Sequence, residues 1–151
     1  MHQNVPILPA QPFLRGLTPE QLNLLAEDSM PAEFQPGERI LSEGAPANRF
    51  YLILEGRVEL ESSVLDGEPV AVQTLGAGDL LGWSWLFPPF CWHFDARAVL
   101  PTKAILFYAK HVRELCEQDH DLGYELMKRV SIILIQRLQS SRNQWVVHHG
   151  A

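Results

Sequence analysis

Ser84, Cys91, His93 and Asp95 bring a hydroxyl, a thiol, an imidazole and a carboxylate into one short stretch. Cys91, His93 and Asp95 alternate, so in an extended strand all three project from one face. That pattern raises two chemistries: a thiolate activated by a histidine, and a metal site. Spacing argues against both. Alternate residues along one strand spread their side chains over ~13 Å, too far to converge on one ion, and a nucleophile needs its base within ~2.6–3.2 Å. Gly82-Trp83-Ser84-Trp85-Leu86 lacks the second glycine of a nucleophile elbow. His93 is also the sole histidine between Glu33 and Tyr108. The expectation is a protein that is not an enzyme and holds no metal.

The same stretch, "GWSWLFPPFCWHF" from Gly82 to Phe94, is dense in aromatic rings: Trp83, Trp85, Trp92, Phe87, Phe90 and Phe94. Three readings are open. The rings line a pocket for a flat or apolar effector, they fill a cavity as core residues, or they form an exposed patch for a protein or membrane partner.

Elements must hold these residues in place. Thr18-Pro19-Glu20-Gln21 is a capping box with proline at the first helical position, followed by Leu22, Leu24 and Leu25, and predicts a short helix. Residues 1–12 are proline-rich and read as an extended arm. From Glu33 to Tyr108, β-rich runs are punctuated by glycines, as in sandwiches and barrels. Tyr51-Leu52-Ile53-Leu54 runs into a Glu55-Gly56 turn, Arg57 to Glu61 alternates polar with apolar, and Asp66-Gly67 marks a further hairpin. A short helix near Lys110 to Glu117 precedes a long one carrying Leu122, Leu126, Val130, Ile133, Leu134 and Leu138 at three- and four-residue steps. Ile132 and Ile135 widen that stripe, so the helix is expected to bury one face at home and another against a second chain, the alternative being a single broad face against the sheet. The candidate interface residues are Leu126, Val130, Ile133, Leu134 and Leu138.

The 151 residues, 46% hydrophobic and 20% charged, suit one globular domain. A net charge of -6 with twelve scattered Lys and Arg gives no basic stripe for nucleic acid. Two cysteines without framework spacing fit a reducing compartment, and no apolar run reaches bilayer length. A cytoplasmic protein without direct nucleic-acid or membrane contact is expected.

"FLRGLTPEQLNLLA", "FQPGERILSEGAPANRFYLILEGRVEL", "LGAGDLLG" and "ARAVLPTKAILF", followed by the long helix, resemble the cyclic-nucleotide-binding domain of the catabolite activator protein (Crp/Fnr) superfamily, over about residues 13 to 143. The resemblance implies a mainly β fold with flanking helices. It would be a double-stranded β-helix, or jelly roll, over 13–108, followed by helices over 109–145 that include a dimerisation helix, with a tail at 146–151. In that family the segment after "GD-x-x-G" cradles the cyclic phosphate: a glutamate directly after the glycine engages the ribose, and an arginine further along pairs with the phosphate. Here those positions fall on Trp83 and Trp92. An indole offers one N–H and no charge, and a lost charge-assisted hydrogen bond typically costs ~1.5–3 kcal/mol.

Gly82, Trp83, Ser84, Trp85, Trp92, His93 and Arg97 are therefore the candidate ligand residues of a degenerate cassette, opposite strands around Leu54-Glu55 and Val72. Asp95 paired with Arg97 or with His93 is the plainer expectation at that edge. Three functions stay open: a homodimeric effector-sensing module, a ligand-free module that meets a protein partner, and a cyclic-nucleotide binder using the backbone cradle alone. No other cofactor is expected. In the activators a winged helix-turn-helix follows the long helix. Here the sequence stops soon after Trp145, which fits a separate sensor or a piece of a larger regulator.

Overall fold

The computed structural model describes residues 10–27, 29–63 and 69–149, the side chains of 63, 69, 70 and 141–149 excepted. Most of the expected arm (1–9), the Asp66-Gly67 turn and residues 150 and 151 lie outside it. A 3₁₀ turn (Pro12–Leu14) leads into α1 (Pro19–Ala26). The capping box is formed as the sequence predicts: the Gln21 amide donates to Thr18 Oγ1 at 3.1 Å, and the Thr18 amide donates to Gln21 Oε1 at 2.9 Å. Leu22, Leu25 and Ala26 face the core.

Among the described residues, eight strands make two four-stranded antiparallel sheets. One runs β1 (Met30–Phe34), β8 (Thr102–Tyr108), β3 (Arg49–Glu55) and β6 (Leu80–Leu81); the other runs β2 (Arg39–Leu41), β7 (Asp95–Ala98), β4 (Arg57–Ser63) and β5 (Pro69–Gly76). This is the jelly-roll-like architecture that the sequence predicts. Sequence texture explains the two kinds of strand. Phe50 to Ile53 in β3 is continuously apolar and buried at every position, whereas β4 buries Val58 and Leu60 and leaves Arg57 exposed. Gly56, at φ +113°, turns β3 into β4. A Cβ there would lie 2.4 Å from Thr102 Oγ1 and 2.7 Å from the Pro101 carbonyl, so only glycine fits between the two turns.

α2 (Ala109–Gln118) and α3 (His120–His149) follow β8 without a linker. Asp119 separates them, and its side chain accepts the Leu122 amide at 3.1 Å. α3 continues to His149, past residue 145, so the expected tail is partly helix.

α3 is amphipathic on two sides. Leu122, Leu126 and Val130 are 1% exposed or less, with Ile133 and Leu134 packed at the edge of the core. Arg129 clasps the opposite end of the chain, donating from Nη1 to the carbonyls of Phe13 and Arg15 at 2.7 Å each while pairing with Glu125. The other side presents Tyr124, Met127, Ile135 and Leu138, with Ile135 56% and Leu138 65% exposed.

The expected interface needs correcting accordingly. Leu126 and Val130 belong to the chain's own core and Ile133 flanks it, because a 3.6-residue period puts them on the face that closes over the roll. Leu138 is open to a partner, Leu134 is half-buried, and Tyr124, Met127 and Ile135 complete the outer stripe. No helix among the described residues is long and apolar enough to cross a membrane.

Candidate functional site

β6 pairs with β3 through Leu81↔Tyr51 and Leu80↔Leu52, and delivers Gly82 to the mouth of the roll. There the chain takes φ +99°, enters a 3₁₀ turn (Ser84–Leu86), and returns along the loop before β3. That return is pinned by backbone hydrogen bonds. The Trp92 amide donates to the Ala45 carbonyl at 3.0 Å, the Gly44 amide to the Trp92 carbonyl at 2.8 Å, and the Ala47 amide to the Phe90 carbonyl at 2.6 Å.

These constraints place the three tryptophans differently. Trp85 is wholly buried. Its ring stacks on Phe50 at 4.1 Å and 9°, Phe50 stacks in turn on Phe107 at 5.0 Å, and its indole N–H donates to the Gly82 carbonyl at 2.9 Å. The Trp85 carbonyl accepts from Arg113 of α2 at 2.8 Å, and that guanidinium lies 4.3 Å from the centre of the Phe90 ring.

Trp92 is 6% exposed and its six-membered ring presses on Gly82: a Cβ at Gly82 would come within 2.7 Å of Cζ3 and Cη2. Trp83 is half-buried, stacked on His93 at 5.3 Å and edge-on to Phe87 at 6.2 Å. The buried Ser84 hydroxyl shares a hydrogen bond with His93 Nδ1 at 2.8 Å.

The space left among Leu41, Leu60, Gly82, Trp83, Trp92 and Phe94 is about 20 Å³. That is room for about one water, against the ~300 Å³ or more of a small-molecule pocket. Its walls come from β2 and β4 rather than from Leu54-Glu55 and Val72 as expected. Trp85 and Trp92 are thus core residues, and Trp83 is the ring left half-buried at the edge. Gly82→Ala should lower stability by ~1–3 kcal/mol, because alanine resists positive φ and its Cβ collides with Trp92. Thermal unfolding would detect it, and an unchanged midpoint would mean that Trp92 does not sit on Gly82.

Arg97 is turned away from the cassette. It pairs with the Glu61 carboxylate across β4 and β7, which raises the pKa of its guanidinium, and Asp95 instead accepts the Glu43 amide at 2.7 Å. Both expected pairings of Asp95 are therefore corrected: cross-strand neighbours, invisible in local spacing, supply the partners. Cys91, His93 and Asp95 reach three separate neighbourhoods, and no cluster of three or more ligating side chains occurs among the described residues. The Cys116 thiol is pushed up to about 11 by burial and by Glu117 and Asp119, which keeps it protonated and unreactive near neutrality.

Sequence reasoning missed Arg137. It lies on α3 four residues after Ile133, on the buried stripe, donates from Nη2 to the Leu80 carbonyl at 2.5 Å, and lines the small space beside Trp83 and Trp92. Burial lowers its pKa and Asp79 partly offsets the shift. A cation falling in the apolar stripe was the available signal.

Residues 31–119 match the family model described as cyclic nucleotide-binding domain. A CRP-like cAMP-activated global transcriptional regulator of Mycobacterium tuberculosis is 23% identical over 137 residues, 91% of this chain, and the chain spans 59% of that relative's length. A crystal structure from Geobacter metallireducens, provisionally named a cyclic nucleotide-binding protein, superposes with a TM-score of 0.80 at 32% identity, covering 88% of this chain and 96% of the other. The regulatory subunit of a cAMP-independent protein kinase A from Trypanosoma brucei gives 0.72 at 26% identity, covering 85% and 46%. With the family model matched over more than half of its residues, the chain belongs to the cyclic nucleotide-binding domain family.

Proposed function

We propose that this is a regulatory domain of the cyclic-nucleotide-binding type whose nucleotide site is filled by its own side chains, and that it works as a homodimer held by the outer face of α3. The carrying observation is the Trp92 ring seated on Gly82, with about 20 Å³ left between them and the facing strands. A ribose phosphate would have to displace that ring and enter a site without the glutamate and arginine of the family pattern. Ser84 and His93 satisfy one another instead of facing a ligand. Two of the relatives named above, the Mycobacterium tuberculosis transcriptional regulator and the Trypanosoma brucei regulatory subunit, are regulators by their names. A shorter match, to an acetyltransferase of Mycolicibacterium smegmatis, covers 43% of this chain and only 20% of that protein.

Calorimetric titration with cyclic AMP and cyclic GMP tests the reading, and no saturable heat is expected at millimolar ligand. Trp83→Glu combined with Trp92→Arg should restore detectable cyclic AMP binding, since it returns both contacts and removes the plug. Micromolar binding by the native protein would overturn the proposal and show that the backbone cradle suffices once Trp92 moves aside.

A further inference from the structure

Arg137 separates two spaces. On one side is the filled roll; on the other is an open cavity of about 390 Å³ between α3, β5 and the 3₁₀ turn at Pro12, and Arg137 is the one residue lining both. The cavity is within the size range of small-molecule sites. Its walls divide by chemistry: Phe13, Leu75 and Ile133 supply an apolar floor, while Gln73, Thr74 and Gln136 supply neutral polar groups.

Two guanidinium groups reach it. Arg129 is largely engaged, with every side-chain nitrogen donating to Glu125, Phe13 or Arg15. Arg137 makes one hydrogen bond, to Leu80, and no salt bridge among the described residues. Asp79 shares the cavity, but its carboxylate accepts the Gly76 amide at 2.8 Å, and its attraction does not outweigh the desolvation of Arg137. A half-buried guanidinium with donors to spare, beside an apolar floor, matches an organic anion with a nonpolar body.

We infer that this cavity is an effector site for a small amphipathic anion, its carboxylate or phosphate head on Arg137 and its apolar body against Phe13 and Ile133. The inference rests on the reading that the roll itself is closed, since it moves ligand sensing to the outer side of Arg137. A ligand there touches α3, β5 and the N-terminal turn together, and so favours the state in which α3 lies against the roll.

The probes are octanoate and octyl phosphate, which share a body and differ in head, with octylamine as the cation of equal length, titrated calorimetrically into the full chain. Saturable binding of at least one anion is expected, and their relative affinities tell carboxylate from phosphate. Arg137→Gln should weaken binding about tenfold or more. Arg137 also holds Leu80, so Ile132→Glu is the second variant: it adds a negative charge at the exposed edge of the cavity without touching the core, and should weaken binding similarly. Octylamine binding as well as the anions, unchanged affinity in both variants, or no saturable heat from either anion would overturn the site. Cyclic AMP is titrated separately: if it binds while the anions do not, the closed-roll reading falls with the site, and if neither binds, only the site falls.

Discussion

Trp85→Ala is expected to cost about 3–5 kcal/mol of unfolding free energy, the range for removing a buried large aromatic side chain. At ~2–4 °C per kcal/mol for a chain of this size, the thermal midpoint should fall by roughly 10 °C. The size of the effect follows from what the ring does. It is 0% exposed, stacks on Phe50, and through Phe50 reaches Phe107, so one substitution opens a gap shared by the cassette, β3 and β8. The indole N–H also leaves the Gly82 carbonyl without its donor. Trp83→Ala is the control, because that ring is half-buried and lies against an exposed imidazole. Its expected cost is ~1 kcal/mol. Urea unfolding measures both, and a Trp85→Ala loss no larger than that of Trp83→Ala would refute the structural role given to the cassette.

Ile135→Glu with Leu138→Glu should weaken dimerisation about 100-fold or more while leaving the fold intact. Each side chain is more than half exposed, so neither contributes much to the chain's own core. In a twofold dimer every substitution enters twice, and an apolar side chain buried at an interface is worth ~1.5–3 kcal/mol. Sedimentation equilibrium reads the association, and circular dichroism checks the helix. Leu126→Glu is the contrasting variant: it buries a carboxylate beneath α3 and should unfold the domain rather than merely dissociate it. A dimer of undiminished strength in the double variant would exclude the outer face as the interface.

The hairpin at Gly56 and the capped first helix were legible because each depends on local pattern: alternation in β4, a continuous apolar run in β3, and a Thr18–Gln21 reciprocal cap. The two apolar sides of α3 were legible too. Which side faces inward was not, since periodicity marks stripes but not the surface that each stripe meets; Leu126 and Val130 were therefore placed at an interface when they close the core. Arg97 shows the same limit, because its partner Glu61 lies 36 residues away. The absence of acidic and basic groups at positions 83 and 92 could be read directly. How completely Trp92 fills the space could not, because volume depends on how the return strand is held by Gly44, Ala45 and Ala47.

The contrast between the tryptophans also gives the molecule an optical asymmetry. Trp85 and Trp92 are shielded from solvent, whereas Trp83 sits at the rim with its indole face on His93. A quencher dissolved in the buffer reaches the rim ring and not the two buried ones, so with Trp145 replaced by phenylalanine the emission separates into an accessible and a protected fraction. Movement of the segment from Gly82 to Phe94 changes that division before it unfolds anything. The cassette thus carries its own label, and its opening can be timed without attaching a dye.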